Sequence, residues 1–245
     1  MSTKSTELCE AETFTSGNPD SVLAGVWRQI LKDLKIDNAM LYEKISMYTE
    51  TLTKVPPKRR TQIRGNMRTD VHKEALTWYT FTKNLRALNV SLLTIEFECK
   101  HIRQTSNHVL ITQLNDDFAV KEKDSEDSEE PSPLSAFFAE MRFKLGVDYA
   151  AFEALLDYYM VRSGMEYTTT SKNEQRAYFR KEFKASKMSW KSLIKGFVFL
   201  CVREVKISIT LTYGYGMETQ HKYSFVLGTL DEYESTDVKK EDYGI

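Results

Sequence analysis

Two stretches decide how this chain is read: Leu76-Thr77-Trp78-Tyr79-Thr80-Phe81-Thr82-Lys83-Asn84-Leu85-Arg86-Ala87-Leu88-Asn89-Val90 and Met188-Ser189-Trp190-Lys191-Ser192-Leu193-Ile194-Lys195-Gly196-Phe197-Val198-Phe199-Leu200-Cys201-Val202. They align at a constant offset of 112 residues. Trp78 matches Trp190, Lys83 matches Lys195, Leu88 matches Leu200 and Val90 matches Val202, while Thr77 falls on Ser189 and Phe81 on Leu193. Apolar residues stand at 78, 81, 85 and 88, and again at 190, 193, 197 and 200. Steps of three, four and three residues place them on one face of a helix. Thr77 and Ser189 sit where a hydroxyl accepts the first free amide protons of such a helix. The two tryptophans head apolar faces, so they read as core rather than as exposed stacking platforms.

The match continues in both directions. Upstream, Trp27, Ile30, Leu34, Ile36, Asp37 and Leu41 fall opposite Phe138, Met141, Leu145, Val147, Asp148 and Phe152 at an offset of 111. Arg64, Met67 and Arg68 fall opposite Arg176, Phe179 and Arg180. Downstream, His108 falls opposite His221 after a one-residue insertion. In each copy an apolar helical stripe is followed by an aspartate at an N-cap position and a second apolar stripe, which predicts a helical hairpin. A polar, basic stretch comes next, then the capped Trp helix. Two strands close the unit. Leu93, Ile95, Phe97 and Cys99 alternate in the first copy, and Val205, Ile207, Ile209 and Leu211 in the second.

The fold class expected is therefore α+β, built as a tandem duplication of a helical-hairpin/helix/β-hairpin domain. The division runs as a leader over 1–20, repeat 1 over 21–114 (α-α-α-β-β), an acidic disordered linker over 115–134, repeat 2 over 135–229 (α-α-α-β-β) and an acidic tail over 230–245. One β-hairpin is marginal by itself. Each must pack on its helices, or the two must join into a four-stranded sheet.

A net charge of −1 over 245 residues conceals strong segregation. Repeat 1 holds 15 Lys/Arg against 8 Asp/Glu, and repeat 2 holds 14 against 9. The linker holds 2 against 8, and the tail 2 against 6. Both folded units are basic and the connecting segments acidic. The linker core Lys121–Pro133 has few apolar residues and two prolines, which predicts disorder. Within the units the cations cluster. Lys58, Arg59, Arg60, Arg64 and Arg68 stand in the first, and Arg176, Arg180, Lys181 and Lys184 in the second. Such clusters bind phosphate backbones by releasing counterions. Tyr178, Phe179, Phe183 and Trp190 interleave the second cluster, so unpaired bases have rings to stack on if those rings are exposed. A charged helix face is also what an ordinary solvated surface looks like, and that reading stands beside the first.

Nothing nominates an enzyme. His72, His101, His108 and His221 have no ligand partners at metal-binding spacing, and no phosphate-cradling or nucleophile-elbow motif occurs. No cofactor is expected. Cys9, Cys99 and Cys201 form no CxxC and no disulfide framework, which fits a reducing cytoplasm. No apolar run reaches the roughly 18 residues of a membrane span.

Leu145, Gly146, Val147, Asp148, Phe152, Leu155, Leu156 and Tyr159 lie in a segment that resembles part of the small double-stranded-DNA-binding protein of large tailed bacteriophages. The resemblance covers about 15 residues of the 245. It implies a helical DNA-binding protein that assists late viral transcription, and so a phage protein of the host cytoplasm. Taken with the charge pattern, it leads to a non-enzymatic nucleic-acid-binding protein, with DNA ahead of RNA, whose contacts come from the nine cations named above. The alternative is a protein–protein adaptor, or a virion-assembly or host-takeover interaction protein, with two similar docking surfaces.

Overall fold

Each half of the chain enters its helical layer through the same two turns. In the computed structural model, which describes residues 12–13, 19–101, 104–114, 131–162 and 169–226, α1 (Pro19–Asp33) ends at Lys35 with φ 53°. Further along, α5 (Pro133–Lys144) ends at Gly146 with φ 67°. Both left-handed residues close the helix in the same way. Ile36 N–H donates to the Leu31 carbonyl at 2.9 Å, and Val147 N–H donates to the Arg142 carbonyl at 2.9 Å. The next helices are α2 (Asn38–Thr51) and α6 (Tyr149–Arg162). Asp37 Oδ1 accepts from Met40 N–H at 2.8 Å, and Asp148 Oδ1 from Ala151 N–H at 2.8 Å. These are the N-caps that the two aspartates predict.

The basic stretches are helices, α3 (Pro57–Asp70) and α7 (Thr169–Phe183). This corrects the expected order: each half has four helices before its strands, not three. The last helices are α4 (Trp78–Ala87), capped by Thr77, and α8 (Trp190–Phe199), capped by Ser189. Both end on a second left-handed residue, Asn89 at φ 65° and Cys201 at φ 60°. Two boundaries also move. Pro133 and Leu134, assigned to the linker, open α5, where Leu134 is fully buried; α1 begins at Pro19, before the expected start at 21. Residues 115–130 of the linker, most of the leader and the whole tail lie outside the described residues.

The strands are β1 (Glu12–Thr13), β2 (Val90–Lys100), β3 (Thr105–Gln113), β4 (Glu204–Tyr213) and β5 (Glu218–Val226). They form one sheet in the order β1-β5-β4-β2-β3. Of the two arrangements open to the hairpins, joining is the one observed: β2 and β4 pair antiparallel at the centre. Ile95 faces Ile209 and Phe97 faces Ile207, with Glu96 opposite Ser208 between them. The two-residue β1, which lies in the expected leader, pairs parallel with β5.

Alternation explains the layers. Leu93, Ile95, Phe97, Cys99, Val205, Ile207, Ile209 and Leu211 are buried, while Glu96, Glu98, Lys100 and Lys206 on the other face are exposed. Among the described residues α4 and α5 pack on this buried face, α8 reaches it where Phe197 meets Phe97, and the other helices pack on α4 and α8 around a single core. At its middle Trp78 and Trp190 stack, with ring centroids 5.8 Å apart and planes 7° from parallel. Such a pair contributes about 0.5–1.5 kcal/mol beyond the burial of its area. No described helix is long and apolar enough to cross a membrane.

Candidate nucleic-acid interface

Proline in the first turn starts α3 without a side-chain cap, and no acidic residue follows in that turn. Ile63 and Met67 face the core. The cations fall on what remains of the surface, and spacing sorts them. Arg60, Arg64 and Arg68 repeat every four residues, which lines them along the seam with α2. Lys58 and Arg59 fall outside that stripe and are exposed.

The seam arginines are engaged. Arg60 Nη1 lies 3.5 Å from the Glu50 carboxylate. Arg64 pairs with the same carboxylate and donates from Nε to Thr49 Oγ1 at 2.9 Å. Arg68 donates to Ser46 Oγ at 2.9 Å and lies over the Tyr42 ring at 5.3 Å. The tyrosine hydroxyl in turn meets His72 Nε2 at 2.7 Å.

The second half repeats the device with other partners. Arg180 makes a two-pronged contact with Glu153, Nε to Oε1 at 3.0 Å and Nη2 to Oε2 at 2.7 Å. Arg176 reaches Glu153 at 3.1 Å and Asp157 at 3.2 Å. The hydrogen bonds from Arg180 hold the Glu153 carboxyl below the ordinary glutamate value, with Arg176 adding to them. Lys184 lies over the Tyr149 and Phe152 rings at 5.2 and 4.7 Å. Lys181 is exposed. Neither Lys181, Lys58 nor Arg59 has a hydrogen-bond or carboxylate partner among the described residues.

No protein family, curated protein or solved structure matches this chain.

The nine expected contact residues thus divide. Five arginines, Arg60, Arg64, Arg68, Arg176 and Arg180, join helices to each other, and Lys184 covers aromatic rings. Lys58, Arg59 and Lys181 face solvent. The interleaved rings divide as well: Tyr178 is 60% exposed, while Phe179, Phe183 and Trp190 are buried. Glu50, Glu153 and Asp157 are the carboxylate partners that sequence reasoning passed over. Their signal was present, since Glu153 and Asp157 stand four apart on α6, as Arg176 and Arg180 do on α7. The residues that carry the phage resemblance are turn, cap and packing positions: Gly146 holds the left-handed turn, Asp148 caps α6, and Phe152, Leu156 and Tyr159 are core.

The histidines take structural places. His101 Nδ1 meets the Leu200 carbonyl at 3.2 Å and its Nε2 meets Ser106 Oγ at 2.9 Å. The same hydroxyl meets His108 Nε2 at 2.9 Å. Burial is the main cause lowering both imidazole pKa values, and Lys144 also lowers that of His108. Burial pushes the Cys99 thiol up to about 12, so it stays protonated and unreactive at neutral pH. The side chain of His221 lies outside the described residues.

Proposed function

We propose that this chain is a non-enzymatic nucleic-acid-binding protein, of bacteriophage type, acting in the host cytoplasm and built from a duplicated four-helix, two-strand unit. The duplication is supported by matched caps, by left-handed residues at matched positions (Lys35 with Gly146, Asn89 with Cys201) and by the central strand register. Residues 95 and 207, equivalent by sequence, face residues 209 and 97, as a twofold relation requires.

One observation carries the binding reading. Lys58 and Arg59 stand exposed in the first turn of α3, with no carboxylate partner among the described residues. Cations there oppose the positive end of the helix dipole, at about 0.3–1 kcal/mol each. A phosphate at that turn reverses the sign of the interaction. Lys181 on α7 supplies a second exposed cation in the other half. DNA stays ahead of RNA through the resemblance at 145–159.

The test is a salt titration of binding to single- and double-stranded DNA and RNA, on wild type and on Lys58→Glu/Arg59→Glu. The expected result is an affinity that falls steeply with salt, with a slope smaller by about 2 in the variant. Absence of binding at low salt, or a slope unchanged by the substitutions, overturns the proposal.

A second reading, a protein adaptor, is favoured by a different observation. Phe143 and Tyr149 flank the turn between α5 and α6 and are 84% and 70% exposed.

A further inference from the structure

The two edges of the sheet are treated differently. The outer side of β5 is occupied where Glu12 and Thr13 of β1 lie against Tyr223 and Ser224. The other edge is β3, which has no strand on its outer side among the described residues. Leu114 N–H donates to the Ser91 carbonyl at 2.8 Å, on the β2 side. Antiparallel pairing alternates, so Ser106, His108, Leu110 and Thr112 turn their main-chain groups toward β2 as well. Asn107, Val109, Ile111 and Gln113 turn theirs outward. Their side chains also lie on the exposed face of the sheet, with Val109 45% and Ile111 62% exposed.

Proteins ordinarily blunt such an edge with charge, proline or a bulge. From Thr105 to Gln113 there is no Asp, Glu, Lys, Arg or Pro, and the pairing with β2 runs without a register shift. The strand is also self-complementary. Laid antiparallel on itself about Leu110, it sets Val109 against Ile111 of the second copy and Asn107 against Gln113 of the second copy. Apolar groups meet apolar groups, amides meet amides, and all four residues have outward main-chain groups to exchange. On the core side, His108 then falls opposite Thr112 of the second copy. No like charges meet.

We infer that β3 is a homotypic docking edge: two copies of this chain pair β3 to β3, centred on Leu110, and extend the sheet across a twofold axis. A single strand edge is a small interface, at or below the lower end of specific ones at about 1,200 Å². The association is therefore weak and dependent on concentration.

Sedimentation velocity on the full chain without nucleic acid, across a concentration series, tests this independently of the binding proposal. Two variants accompany wild type. Val109→Pro removes one outward N–H at a place where an edge strand tolerates proline. Ile111→Lys leaves every main-chain group intact and sets two cations close to the apolar contact. The expected result is a wild-type dimer whose dissociation constant rises by about tenfold or more in Ile111→Lys, with an unchanged far-ultraviolet spectrum, and a monomeric Val109→Pro. Amide exchange at Val109 and Ile111 slows as wild-type concentration rises. A wild type that stays monomeric to millimolar concentration overturns the inference, and so does a dimer that Ile111→Lys leaves intact. If Val109→Pro unfolds, Ile111→Lys alone decides.

Discussion

The seam between α2 and α3 and the seam between α6 and α7 solve one packing problem with opposite chemistry. In both, arginines at matched positions reach across to the neighbouring helix. In the first, two guanidiniums, those of Arg60 and Arg64, share the single carboxylate of Glu50, whose side chain is 64% exposed, and a third, Arg68, turns to a hydroxyl and a tyrosine ring. In the second, two guanidiniums meet two carboxylates, and Glu153 is only 17% exposed. The first seam keeps a surplus of positive charge; the second is neutral. The difference shows that arginines at sequence-matched positions can serve the same packing while their electrostatic role is set by the residue opposite. It also locates the uncompensated charge on α3, next to Lys58 and Arg59.

The largest effect that separates the halves lies deeper, where α8 crosses α5. A Cβ on Gly196 would stand 2.6 Å from Cε2 of Phe138, a ring buried to 1% exposure. The equivalent residue of α4 is Asn84, which carries a full side chain at 1% exposure, its amide atoms without a partner among the described residues. Gly196→Ala gains about 1 kcal/mol of helix propensity against an overpacking cost of about 1–3 kcal/mol. The ring is buried beside Phe183, which sets the cost toward its upper end, and the net loss is about 1–2 kcal/mol. Asn84→Ala removes volume and an unpaired amide together, and the two effects oppose each other to within about 1 kcal/mol. Urea denaturation of the two variants measures this. Equal losses in both would show that the halves are packed alike.

Next in size is the loss of the shared carboxylate. Glu153→Gln strips the charge that two arginines converge on, and is expected to cost about 1 kcal/mol. Glu50→Gln sits at an exposed pair, worth about 0.5 kcal/mol or less. The same variants bear on binding. Glu153→Gln releases Arg180 and leaves Arg176 with Asp157 alone, so affinity for nucleic acid rises if phosphates approach α7. It stays level if α3 alone makes the contact. Thermal melts and the salt titration read the two consequences separately.

What the sequence made legible follows from range. The caps at Asp37, Asp148, Thr77 and Ser189 are bonds to an amide three residues on, and composition within a few positions specifies them. The buried alternation of β2 and β4 is equally local. The pairing of β2 with β4 joins residues more than a hundred apart, and two hairpins that each bury one face leave both arrangements open. The helical state of α3 was obscured because its core face is held by two residues, Ile63 and Met67, among polar neighbours. The helix-joining contacts of the arginines were hidden because their partners lie elsewhere in the chain. Arg64 and Arg176 look like free cations until Glu50 and Glu153, on another helix, are placed beside them.

The smallest expected effect compares the two hairpin ends. His101 meets Ser106 in the first, and at the matched place Tyr213 meets Thr219, hydroxyl to hydroxyl at 3.3 Å. Burial lowers the pKa of His101 and raises that of Tyr213. Among the described side chains, the first end therefore carries imidazoles that titrate on the acid side of neutrality. A histidine with a lowered folded value binds its proton more readily in the unfolded chain. Stability from His101 and His108 is complete above the unfolded value of about 6.5 and declines as pH falls from there toward the folded values. Each unit of separation is worth about 1.4 kcal/mol. Tyr213 works at the other extreme: its folded value lies above about 10, so its contribution declines only as pH rises from about 10 toward that value. Hydrogen exchange at pH 5 should then open β3 before β5, and His101→Tyr should reduce the difference. Equal opening of both strands would mean that the imidazoles do not couple to the edge they sit beneath.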